Sequence, residues 1–332
     1  MRDETLEAYR CPVTGTALEL VPNSGLQSLD GHVYPFLAGD AVPDFVPREN
    51  ALDLYSKFDA ETAAKLDYST AEQVSVYQNE IDWIMKTFGA DEDAVRRDLG
   101  DRLGLQRGDK LLVVGCGQGV ELTFYFESVG SEGRVFAQDI SAAMIEFARS
   151  LPANSGVEFS VSDACSLPFP DNYFDRVIQV GAINQFGDVK AAIAEMSRVT
   201  RIGGRVLICD EGIAPHLHET EYGRKFINNN PLWNTPVPLA DLPETAGNIN
   251  LGFVLGHCFY VITFDRCSST PPVDWTVPHL GRRGGTIETR YSGQLEGVTP
   301  GTKSRVIEAA SEAGLPVHDW LETALNDALN RE

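Results

Sequence analysis

The chain has 332 residues and carries 27 Lys+Arg against 48 Asp+Glu, a formal net charge of −21. At 43% hydrophobic and 23% charged it has the composition of a folded globular protein, and its acidity argues against a nucleic-acid partner. No apolar run reaches the roughly 18 residues of a membrane span, and the charged start MRDETLEAYR is not a secretory leader, so no membrane partner and a cytoplasmic location are expected.

Residues 1–48 are short apolar bursts broken by turn formers, among them Cys11-Pro12, Asp30-Gly31 and Pro43-Asp44. That pattern predicts small β-hairpins. Residues 49–105 hold few Gly or Pro, and Val76, Ile81, Ile84 and Met85 recur at helical spacing. Apolar runs then predict strands at 110–114, 134–138, 157–161, 176–180 and 205–209. Amphipathic stretches at 118–129, 141–150 and 188–200 predict helices, the last stopping at Gly203-Gly204. Strands alternating with helices imply right-handed βαβ units and a doubly wound parallel sheet. Further on, 253–266 and 286–295 read as an antiparallel pair at the sheet edge, and 302–313 and 317–329 as a helical tail.

The first strand is followed by Gly115-Cys116-Gly117-Gln118-Gly119. Glycines there let the backbone turn tightly and approach a ligand, although many nucleotide sites and plain turns share such a cluster. Asp139 closes the second strand, where a carboxylate reaches ribose hydroxyls. Asp163-Ala164 closes the third, where a carboxylate can accept from an adenine amino group. Asp139 could instead serve a helix start, but Ser141 is the better cap. A dinucleotide dehydrogenase would need G-x-G-x-x-G, and this loop reads G-x-G-x-G.

The pieces VVGCGQG, AQDIS with Met144 after it, SDACSLPFPDNYFDRV and EMSRVTRIGGRVLICD occupy 106–211. In that order they resemble the class I S-adenosylmethionine-dependent methyltransferases, in the branch similar to the ubiquinone/menaquinone-biosynthesis enzymes. The resemblance implies an α/β, doubly wound, seven-stranded Rossmann-like sheet, S-adenosyl-L-methionine as cofactor, and methyl transfer to O, N or C of a small molecule, with aromatic or prenyl-like acceptors favoured. It also implies residue roles. Gly115, Gly117 and Gly119 would line the methionine moiety and ribose, with Cys116 a small residue within the loop. Asp139 would hold the ribose, Ile140 and Met144 would pack near the adenine unless they are core residues, and Asp163 with Ala164 would meet the amino group. Val180 and Gly181 would border the sulfonium and the acceptor.

The flanks extend this reading. Tyr9-Arg10-Cys11-Pro12, Tyr34-Pro35-Phe36 and Ala41-Val42-Pro43-Asp44-Phe45 resemble the short zinc-ribbon-like domain of tRNA-methyltransferase activator proteins. Only Cys11 of the expected thiolates survives, and the six cysteines form no C-x-x-C pair, so no metal is expected. The expected organisation is a degenerate ribbon-like β segment (1–48), a helical lid (49–105), a methyltransferase domain (106–300) with a substrate-lid insert (212–250), and a helical tail (301–332). Tyr77 would contact the cofactor and Tyr68 the acceptor. In the insert His216 and His218 alternate, so on an extended segment they share a face as candidate general bases. Arg224, His257 and Arg283 are candidate acceptor contacts, with solvated surface groups as the alternative throughout. The tail would dock on the domain or pair two copies, giving a monomer or a homodimer. An RNA or protein methyltransferase, and a cofactor-binding scaffold without transfer activity, remain alternatives.

Overall fold

A computed structural model describes residues 3–22, 24–37, 42–46, 71–280, 286–288 and 298–330. The chain divides into two compact units, Met1–Thr270 and Pro271–Glu332. The boundary therefore lies before the expected one at 300.

The first unit begins with a short helix α1 (Asp3–Ala8) and a three-stranded antiparallel sheet, β1 (Leu18–Val21), β2 (Gly25–Ser28) and β3 (Val33–Tyr34). The hairpins were expected and the helix was not. Helices α2 (Ala71–Phe88) and α3 (Glu92–Leu103) follow. Asp91 caps α3 by accepting from Ala94 N, and Gly104 closes it in a left-handed conformation.

The strands β4 (Lys110–Val114), β5 (Arg134–Asp139), β6 (Glu158–Val161), β7 (Phe174–Val180) and β8 (Thr200–Glu211) are parallel, with helices α4 (Leu122–Val129), α5 (Ala142–Ser150) and α6 (Val189–Val199) between them. Leu111 to Val114 are all buried, as a strand covered on both faces requires. Ser141 and Asp188 cap α5 and α6. The Gly203-Gly204 pair does not end an element, since β8 begins at Thr200 and runs through it. A Cβ on Gly204 would lie 2.7 Å from Asp175 O, so glycine permits this close passage beside β7.

After β8 the insert carries α7 (Glu221–Asn229), and the sheet is completed by β9 (Ala246–Val254) and β10 (Phe259–Arg266). The strand order is β6-β5-β4-β7-β8-β10-β9, with β10 antiparallel to both neighbours. The seven strands and the antiparallel edge agree with expectation, but the pair is not 253–266 with 286–295. It is one hairpin, reversed where Leu255, Gly256 and His257 adopt positive φ. Residues 286–288 are not strand, and the remainder of that expected strand lies outside the described residues.

The N-terminal segment completes the other edge. Asp44 bridges Val161 in parallel, with Phe45 N donating to Val161 O at 2.8 Å and Val161 N to Pro43 O at 2.9 Å. Backbone groups of β6 are thereby paired. Tyr9 stacks on Phe169 at 5.3 Å and packs on Phe45 at 5.4 Å, so this segment shares the core of the main sheet. Cys11 Sγ lies 3.0 Å from Tyr34 Oη. Among the described residues no group of three or more His, Cys, Asp or Glu side chains is placed to hold a metal, and no helix is long and apolar enough to cross a membrane.

In the second unit, α8 (Pro300–Glu312) is capped by Thr299 and joined through Gly314 to α9 (Val317–Leu329), close to the expected tail.

Candidate functional site

Beyond the carboxyl ends of β4 to β7 lies a cavity of about 760 Å3, where ligands of open α/β sheets bind. One wall is the glycine loop after β4. Gly115, Gly117 and Gly119 all have left-handed φ, at 66°, 50° and 62°. A Cβ on Gly115 would stand 2.8 Å from Ala182 Cβ, so only glycine fits there.

Asp139 at the end of β5 locks this loop to the next one. Its Oδ2 accepts from Gly117 N and its Oδ1 from Ser141 N, both at 2.9 Å. Burial raises the Asp139 carboxyl above the usual carboxylate range, against the backbone N–H groups of Ser141 and Gly117, which lower it. Ser141 separately caps α5 by accepting from Met144 N at 3.2 Å. The carboxylate and the helix cap are thus different residues. Ile140 and Met144 supply an apolar wall, and Asp163 faces the cavity while its Oδ1 accepts from Cys165 N at 2.8 Å.

The opposite wall is the turn after β7, from Gly181 to Gly187. Two buried polar residues shape it. The Gln179 carboxamide, with its oxygen turned toward the strand end, accepts from Ala182 N at 2.6 Å and Ile183 N at 2.9 Å. Asp210, wholly buried, accepts from Asn184 N at 3.1 Å, Asn184 Nδ2 at 3.0 Å and Glu211 N at 2.7 Å. Burial and then the adjoining Asp210 push the Glu211 carboxyl well up. None of Gln179, Asn184 and Asp210 was singled out in the sequence. Their signal was present: Gln179 and Asp210 interrupt the apolar runs VIQV and VLICD, and polar side chains in a buried strand need fixed partners.

Residues 112–208, which contain the loop, the carboxylates and the turn, match the family model described as a methyltransferase domain. This part of the chain is similar to S-adenosylmethionine-dependent methyltransferase domains. The ubiquinone/menaquinone biosynthesis C-methyltransferase of Francisella philomiragia is 36% identical over 135 residues, covering 38% of this chain and 54% of that protein. Its counterpart from Cupriavidus taiwanensis is 34% identical over 109 residues, covering 32% and 45%. The chain therefore spans about half the length of the curated relatives it matches. Among solved structures, Haemonchus contortus phosphoethanolamine N-methyltransferase 2 in complex with S-adenosyl-L-methionine aligns with a TM-score of 0.49 at 14% identity, covering 65% of this chain and 60% of that one. A SAM-dependent methyltransferase from Aquifex aeolicus aligns at 0.38 and 20%, covering 55% and 96%.

Within the matched residues, Gly115, Gly117, Asp139, Ile140, Met144, Asp163, Ala164 and Gly181 all line the one cavity. Three other candidates do not. Cys116 is buried beside the loop, and burial, then nearby Asp139, push its thiol well up, so it is no nucleophile. A Cβ on Gly119 would meet Leu122 and Ala148, so it serves loop packing. Val180 faces a second cavity of about 610 Å3 beneath α2 and α3. Tyr68, Arg283 and the side chain of Tyr77 lie outside the described residues.

The insert behaves differently from expectation. His216 and His218 do not alternate on an extended segment, because Pro215–Leu217 is a tight helical turn. His218 Nε2 lies 2.8 Å from Ile213 O, and exposed His216 packs its ring 5.8 Å from that of His257. The Arg224 guanidinium turns back to Glu219 O. None of these four residues lines either cavity. Instead the insert packs on α2: Phe226 stacks on Phe88 at 5.4 Å and 12°, and buried Trp233 stacks on Trp83 at 6.1 Å.

Proposed function

We propose that the chain binds S-adenosyl-L-methionine in the first cavity and transfers its methyl group to a small-molecule acceptor. The reading is carried by one observation, the Asp139 carboxylate tied to the glycine loop at the mouth of an apolar-walled cavity. A carboxylate offers about four lone-pair directions, and the backbone N–H groups of Gly117, Ser141 and Ile140 do not use them all. What remains is available to a ribose hydroxyl. Asp163 likewise keeps Oδ2 beyond its bond to Cys165 N, suited to an adenine amino group, while Ile140 and Met144 pack against the base.

The cofactor supplies an electrophilic methyl on a sulfonium centre. The chain's own part is to bind, orient and exclude water. Asp139 fixes the ribose, the Gly181–Gly187 turn held by Gln179 and Asp210 closes the opposite side, and the acceptor is aligned with the bond that breaks. That both curated relatives are C-methyltransferases of ubiquinone/menaquinone biosynthesis supports carbon as the acceptor atom, with an aromatic, quinone-like ring as the acceptor class.

Incubation with methyl-labelled S-adenosylmethionine and cell metabolite extracts tests this. Label is expected in an organic-extractable small product. Label in RNA or protein, or cofactor binding with no product in any fraction, would remove the proposal.

A further inference from the structure

Exposed apolar surface gathers in the unit Pro271–Glu332. Among its described residues only Ala310 of α8 is buried, and α9 buries none. Helices of 13 residues are marginal in water by themselves. The two helices pack on each other, with Val306 and Ala310 of α8 and Val317, Trp320 and Ala324 of α9 as their less exposed side. That side alone is too small to be a core.

Each helix also leaves a stripe open. On α9, half-buried Leu321 leads to Leu325 and Leu329, which are 60% and 71% exposed. Spaced by four, the three share one face. On α8, exposed Ile307 shares a face with exposed Ser304 and Ser311. Large side chains on one stripe thus match a stripe with small residues on either side of one isoleucine. Charge is complementary in the same sense. Helix α9 carries Asp319, Glu322 and Asp327 and no Lys or Arg, while the first half of α8 carries Lys303 and Arg305 and no acid. Residues 271–332 hold 9 Asp+Glu against 6 Lys+Arg, a net charge of −3, so −18 of the chain's −21 belongs to Met1–Thr270. An acidic helix is therefore repelled far less by a second tail than by that unit.

We propose that the α8–α9 pair is a dimerisation module whose occupant is a second copy of this chain. The leucine stripe of α9 seats on the Ile307 face of α8 in the other copy, and two-fold symmetry repeats the contact. A helix of this length is about 20 Å long and about 10 Å wide. The two stripes together therefore offer about 400 Å2 per copy, half of the roughly 800 Å2 per partner in a standard interface. The dimer is accordingly a reversible one, with a dissociation constant in the micromolar range.

Sedimentation velocity of the full chain from about 1 to about 200 µM tests this. The 36.3 kDa monomer should give way to a species of twice that mass as concentration rises. Leu325→Glu, at an exposed position that folding does not need, should weaken association by about 10-fold or more. Two charge variants locate the contact. A chain with Lys303→Glu and Arg305→Glu, and a chain with Glu322→Lys and Asp327→Lys, should each self-associate about 10-fold more weakly, whereas their mixture should recover to within about 3-fold of the parent. A full chain that stays monomeric throughout, association unmoved by Leu325→Glu, or charge variants that fail to recover on mixing would each overturn the proposal.

Discussion

Asp139 joins two loops that are 22 residues apart in sequence, through Gly117 N and Ser141 N. Replacing it with Ala leaves both donors without that acceptor and removes the ribose partner. The expected result is a loss of about 10-fold or more in S-adenosylhomocysteine affinity, measured by calorimetry, and unchanged affinity would refute the ribose role. Glu121, which lines the second cavity just before α4, is likewise perturbed by burial. Its carboxyl is raised in the folded chain, so the folded state holds the proton to higher pH than the unfolded state. Its stabilising contribution is full below the ordinary glutamate range and is lost as pH rises through the raised value. Gln cannot ionise, so thermal melts without ligand should show Glu121→Gln gaining on the parent chain from pH 4 to pH 8. A constant difference across that range would show that the carboxyl is not perturbed.

At the scale of elements, α2 turns different residues to two neighbours. Ile81 and Met85 reach the second cavity, while Trp83 and Phe88 pack on Trp233 and Phe226 of the insert. Trp233 is 1% exposed, and its Nε1 finds no acceptor among the described residues. Trp233→Ala should therefore destabilise the chain by about 3 kcal/mol, the lower end of the usual range for a buried Trp, because an unpartnered N–H is removed with the ring. Denaturant unfolding measures this, and methylthioadenosine affinity in the surviving folded protein should stay within about 3-fold. The insert was expected to cover the acceptor with His216 and His218. The shared face of the two histidines relied on an extended backbone, and the turn at Pro215 replaces it.

For the whole molecule, both cavities and every described residue that lines them belong to the unit Met1–Thr270. A chain ending at Thr270 should melt cooperatively and bind S-adenosylhomocysteine within about 3-fold of the full chain. A tenfold loss would assign part of the site to residues 271–332. The net charge of −21 takes on a local form here: Asp139, Asp163, Glu92 and Glu121 line the two cavities, and Arg96, paired with Glu92, is the cation among them.

The glycine loop was legible in the sequence by itself, because its causes are local. A buried strand, a run of left-handed glycines, an aspartate ending the next strand and a Ser cap each leave a mark within a few residues. The parallel sheet followed from the same alternation of strand and helix. The tertiary structure alone decided which distant parts complete the site. Arg96, Glu121 and Val180 meet around one cavity across 84 positions of chain, and no periodicity encodes that meeting. It likewise turned 246–266 into a hairpin and packed the insert on α2. Those outcomes depend on long-range packing, where the free energy of burial is shared among elements and no single segment carries the signal.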